Sequence, residues 1–114
     1  MADETHSKSQ RQQIARLYNK VNQEMYGIGV RKQKVEMMED KIVIFGQHQR
    51  VPALSVIDQK NPPLSLSVDT TLIEEFKSRL KKQLESELEL QVKTILKDFD
   101  PETEEAAAVI YLLK

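Results

Sequence analysis

Residues 30–49, VRKQKVEMMEDKIVIFGQHQ, hold two extended arms around a polar turn, and their reading decides the fold. The second arm, KIVIF, is β-branched and apolar on both faces, which predicts an interior strand. The first arm, VRKQKVEMM, is more polar and charged, as an edge strand or a solvated face is. Glu39 and Asp40 supply the turn, so the arms form a hairpin over 30–38 and 41–49.

N-terminal to the hairpin, Ile14, Leu17, Tyr18, Val21 and Met25 recur at the spacing of one helical face, which predicts a helix from Ser9. Gly27 in MYGIGV ends it as a left-handed C-terminal residue. The GxG here follows a helix, the reverse of the strand–loop–helix order of a phosphate loop. C-terminal to the hairpin, VPALSVID predicts a short helix with Leu54 and Ile57 inward. KNPPLSLSVDT reads as a turn followed by extended chain, because Pro62 and Pro63 resist a helix running through them.

The run TTLIEEFKSRLKKQLESELEL then predicts a long helix, with Thr71 and Glu74 as a capping box and Leu72, Ile73, Phe76, Leu80, Leu84 and Leu88 as its core stripe. QVKTILKD alternates as a strand, DFDPETEE is a polar turn, and AAAVIYLLK is an apolar strand. The order is αββ, a connector, then αββ. Two helices and four mostly hairpin-linked strands predict an α+β fold: a four-stranded, mainly antiparallel sheet with the helices on one face.

With 114 residues the chain is long enough for one domain. Residues 1–8 are polar and unpatterned and read as a loose tail, leaving residues 9–114 as the domain. Three Phe, three Tyr and no Trp leave the core to aliphatic side chains. The absence of cysteine excludes disulfides, thiolate metal sites and Cys nucleophiles, and suits a reducing cytosol. No apolar run approaches the ~18 residues of a membrane span, and MADETHSKSQRQQ has no signal-peptide core, so a soluble cytoplasmic chain is expected. A net charge of −1 gives no general pull toward nucleic acid or membrane.

His48 and Arg50 fall on the strand face of Ile42 and Ile44. Together they could bind an anion, Arg50 as a permanent forked donor and His48 as a titratable one. The plainer reading is that the face leaves the core near Gly46 and the polar pair marks the strand's wet end. With Val51, Pro52 and Leu54 adding apolar surface, His48, Arg50, Val51, Pro52 and Leu54 are the expected contact surface rather than an active site. DFDPETEE matches a calcium loop at its first acidic positions but has Thr103 where Gly is needed and Val109 where a bidentate Glu is needed. No catalytic motif, metal-ligand set or cofactor fingerprint is present, and no catalytic, cofactor or metal residue is expected. Lys8, Arg11, Arg16 and Lys20 on the first helix could meet phosphates, but the hairpin lacks base-stacking aromatics, so nucleic-acid binding stands only as an alternative.

LYNKVNQEMYGIGVRKQKVEMMEDKIVIF, RVPAL and LIEEFKSRLKKQLESELELQVKTILKDFDPETEEAAAVIYLL together resemble the MpsC-like family of small bacterial proteins, over roughly residues 10 to 114. The resemblance implies a component of a sodium-translocating, membrane-potential-generating system whose membrane subunits are tied to bicarbonate uptake. It supplies no active-site residues. The expectation is a non-enzymatic accessory domain that binds membrane transport subunits, cytoplasmic or peripheral to the inner face of the membrane. A small anion sensor using Arg50 is a further alternative. A homodimer is expected through the edge strand, with Val35 and Met37 at its contact.

Overall fold

The structure, a computed structural model, describes residues 2–113, with side chains from Ser9 onward. Helix α1 (Ala2–Tyr26) leads into the hairpin β1 (Arg31–Met37) and β2 (Lys41–Gln47). Helices α2 (Pro52–Lys60) and α3 (Pro62–Leu88) follow, then the hairpin β3 (Val92–Phe99) and β4 (Glu105–Leu112). The strands form one antiparallel sheet in the order β1-β2-β4-β3. Helix α1 packs on the β1 side, α3 on the β3 side, and each helix packs on the other. The α+β architecture with two αββ halves is the observed one, and the connector between them is itself the helix α2.

The periodic stripe of α1 is buried as its spacing requires: Ile14, Leu17, Tyr18 and Val21 lie in the core. They meet Phe76, Leu80 and Leu84 of α3 over Val35, Ile42, Ile44, Ile95, Ala108 and Ile110 of the sheet. KIVIF occupies an interior strand and VRKQKVEMM an edge, as their compositions indicate. Helix α1 is assigned from Ala2 rather than Ser9, and the side chains of residues 1–8, where a loose tail is expected, lie outside the described residues.

Two expectations fail for physical reasons. Pro62 and Pro63 do not precede extended chain; they start α3. Proline has no N–H to lose in a first turn, and its fixed φ already suits a helix. The Asn61 side chain caps that turn by accepting from Leu64 N (3.2 Å). Thr71 is therefore mid-helix, its hydroxyl bonded back to Ser67 O, and the capping box it suggested does not exist. In β3 a register shift between Val92 and Thr94 breaks the alternation of QVKTILKD. Ile95, Lys97 and Phe99 consequently turn toward the helices while Leu96 points away, more than half exposed.

Candidate functional site

Strand β2 does not surface at Gly46. The His48 N–H donates to Glu104 O (2.9 Å), prolonging the β2–β4 ladder, and the ring stays on the buried face of Ile42 and Ile44. It sits among Tyr18, Phe76 and Phe99 at centroid distances of 5.5, 6.2 and 5.8 Å, and its Nε2 shares a 2.9 Å hydrogen bond with the Tyr18 hydroxyl. Burial, and then the charge of Lys97, lowers its pKa to about 3. His48 is a neutral core residue, not the exposed contact or titratable anion donor that its sequence neighbours suggested.

Arg50 is also turned inward, with its side chain 8% exposed. Its Nε and Nη2 grip both oxygens of Asp58 (3.0 and 2.7 Å), while Nη1 and Nη2 grip both oxygens of Asp69 (2.7 and 3.1 Å). Ser65 Oγ accepts from Nη2 and in turn donates to Asp58. The backbone N–H of Arg50 is held by Glu104 Oε2, and Phe99 lies under the guanidinium at 5.8 Å. Burial alone would lower the Arg50 pKa, but the two carboxylates raise it. The hydrogen bonds from Arg50 and then Ser65 hold Asp58 below the usual carboxylate range. All three guanidinium nitrogens take part in fastening the loop after β2 to α2 and α3. Two carboxylates already neutralise Arg50, so its charge is committed within the fold.

Lys97 is not so committed. The bulge in β3 turns it inward, where its Nζ lies 4.5 Å from the Phe76 ring centroid and 5.6 Å from that of Tyr18. Among the described residues it forms no hydrogen bond or ion pair. Burial lowers its pKa to about 8, against a small opposing pull from Asp98. Lys97 lines a cavity with Asn22, Tyr26, His48, Arg50 and Asp69. Asn22 donates to Ile28 O (2.7 Å) and leaves its buried Oδ1 with no partner. The space open to the centre of a water molecule is about 20 Å³, room for one or two waters or a small polyatomic ion. A cation and an orphan acceptor thus face the same void. Nothing in the one-dimensional pattern signals this site, because the bulge that creates it has no sequence mark.

The remaining expected contact residues are scattered. Val51 and Leu54 line the rim of this cavity, half-buried, and Pro52 is exposed at the first turn of α2. Val35, expected at a dimer edge, points into the core at 9% exposure, and Met37 packs beside it. A Lys at Val35 would therefore unfold the domain rather than report on a dimer. The outward groups of β1 are Lys34 and Glu36, and Lys32 at φ 51° distorts the strand's start; charge and irregularity are what discourage edge pairing. In DFDPETEE, Asp100 Oδ1 accepts from Glu102 N and Thr103 N, shaping the turn. Arg11, Arg16 and Lys20 lie exposed along α1.

Fold and site together define a small two-layer α+β domain in which Arg50, Asp58 and Asp69 fasten the loop after β2 to the helices, while the inward Lys97 has no ion pair among the described residues. The chain belongs to the family described as Na+-translocating membrane potential-generating system (MpsC), matched over residues 6–114. No curated protein and no solved structure matches it. None of the helices of the described residues is long and apolar enough to cross a membrane.

Proposed function

We propose that the chain is a non-enzymatic accessory domain that binds membrane subunits of the Na+-translocating system its family is named for, at the inner face of the membrane. The observation that carries this reading is the α2–α3 corner. Val56, Leu64 and Leu66 are left exposed on these helices, and Leu66, at 70%, borders an open groove of about 440 Å³ whose walls mix Pro62, Phe99 and Pro101 with the carboxylates of Asp98 and Glu102. A large leucine exposed at the mouth of such a groove is what a protein contact would cover. A role in bicarbonate uptake belongs to the same reading, since it concerns the system and not a residue of this chain.

The test is co-purification of tagged protein from its native cells in mild detergent, with and without nuclease. Membrane subunits of a Na+-translocating complex should be recovered irrespective of nuclease. They should be lost from a Leu64→Asp/Leu66→Asp variant whose circular dichroism is unchanged. Recovery that depends on nucleic acid would shift the function to the basic face of α1.

A second reading, an anion sensor, is favoured by Lys97 rather than by Arg50. An ammonium without a carboxylate, facing an acceptor without a donor, suits a small monoanion that carries a hydroxyl or N–H. Ligand-dependent melting with a panel of such anions at constant ionic strength tests it. The melting temperature should rise with one of them in the wild type and not in Lys97→Met. An equal rise in both would dismiss the site.

A further inference from the structure

The face of the sheet turned away from the helices is covered by nothing among the described residues, and its centre is apolar. Side chains on this face fall into rows that the register defines. One row runs Lys34, Phe45, Ala107, Asp98, and the next Glu36, Val43, Val109, Leu96. Tyr111 stands in a third row between Lys41 and Thr94. Phe45 and Leu96 are the most exposed of the apolar members, at 46% and 53%. By strand spacing and rise the face is roughly 19 Å wide and 25 Å long, with Lys34 on the β1 side and Asp98 on the β3 side.

We infer that this face is a self-complementary interface on which a second copy of the chain stacks, related by a two-fold axis parallel to the strands over the β2–β4 seam. That rotation lays β1 of one copy on β3 of the other and β2 on β4, and keeps every row opposite itself. The protruding Phe45 then meets the small Ala107 of the other copy, and Val43 meets Val109. Lys34 meets Asp98, which forms no ion pair within its own chain among the described residues. Each of these contacts occurs twice, which is the signature of an isologous interface. Glu36 lies over Leu96 and remains neutralised by its own Lys34 at 3.0 Å. The other face-to-face two-fold, with its axis across the strands, stacks β3 on β3 and does not bring Lys34 to Asp98. Sheets that stack face to face keep their strands nearly aligned, which the chosen rotation provides. The edge strand takes no part. This inference is separable from the membrane-subunit reading: the groove at the α2–α3 corner borders this face at Asp98 but does not reach Phe45, the position whose change tests the dimer.

Sedimentation equilibrium on the full chain from about 1 µM to 1 mM tests it, a range set by a face near the small end of stable interfaces. A reversible monomer–dimer equilibrium is expected. Phe45→Glu should weaken it about a hundredfold, as loss of a central aromatic anchor does. Lys34→Asp and Asp98→Lys should each weaken it roughly tenfold, and the double variant should return close to wild type. Circular dichroism and melting keep the folded state in view, and all three positions are solvent-facing. A wild-type chain that stays monomeric throughout overturns the interface, as does a dimer indifferent to Phe45→Glu. A dimer that loses affinity with Phe45→Glu but is not restored by the charge swap overturns the proposed two-fold.

Discussion

Arg50 joins three segments through one side chain, and its removal strands two carboxylates. Arg50→Ala is expected to lose about 2–4 kcal/mol, the lower end reflecting the partial exposure of Asp58. Arg50→Lys keeps the charge but cannot grip two carboxylates bidentately, so about half that loss is expected. Urea denaturation of the three proteins decides it; a loss under about 1 kcal/mol for Arg50→Ala would show the hub to be ornamental. His48 makes a pH prediction. The folded state holds it neutral down to about pH 3, whereas the unfolded chain takes up its proton below about 6.5. Stability must therefore fall as pH drops through 6.5 toward 3, by at most about 1.4 kcal/mol per pH unit. His48→Gln should flatten the melting temperature between about pH 4.5 and 6.5, above the range in which Asp58 titrates. An unchanged slope would assign the effect elsewhere. Neither role was legible in HQRVPAL. The strand alternation does place His48 and Arg50 with Ile42 and Ile44, but the reach of the core past Gly46 depends on Tyr18 and Phe76, distant in sequence.

At the scale of elements, both ends of α3 make predictions of opposite sign. Asn61 supplies a cap to a first turn that Pro62 and Pro63 leave short of donors, so Asn61→Ala should cost about 1 kcal/mol. Glu89 ends the helix in the left-handed region at φ 56°, with its N–H donating to Leu84 O. Glycine enters that region freely, and a carboxylate at a helix C-terminus faces an unfavourable dipole. Glu89→Gly should therefore gain about 0.5–1 kcal/mol. The midpoints of urea curves at constant slope check both, and a destabilised Glu89→Gly would mean that its side chain has a use not visible here. Helix α3 was legible from Leu72 onward because its apolar residues keep the helical period. Its first ten residues were not, because the same two prolines fit a break or a start and only the preceding Asn61 favours the start. Strand β3 was legible as a strand but not in its facing, since an inserted bulge reverses which residues are inward without altering composition.

For the whole molecule, two αββ halves share one seam. Each half contributes its inner strand, β2 or β4, and Ile42 faces Ile110 across the join. That much followed from the element order, together with the contrast between charged VRKQKVEMM and apolar KIVIF. The choice of β4 rather than β3 as the neighbour of β2 did not, although the alanine-rich and aliphatic AAAVIYLL carries the same two-sided apolar mark. The seam has a kinetic side. The partners across it are more than half the chain apart, so the β1–β2 hairpin closes early and cheaply while β2 must wait for β4 through a long search. For that interval IVIF, residues 42–45, stands as a bare, largely β-branched, uncharged strand edge, the kind of segment that recruits its own copies. Crowded refolding is thus the condition in which this chain is most prone to clump, and the hazard ends when its last strand arrives.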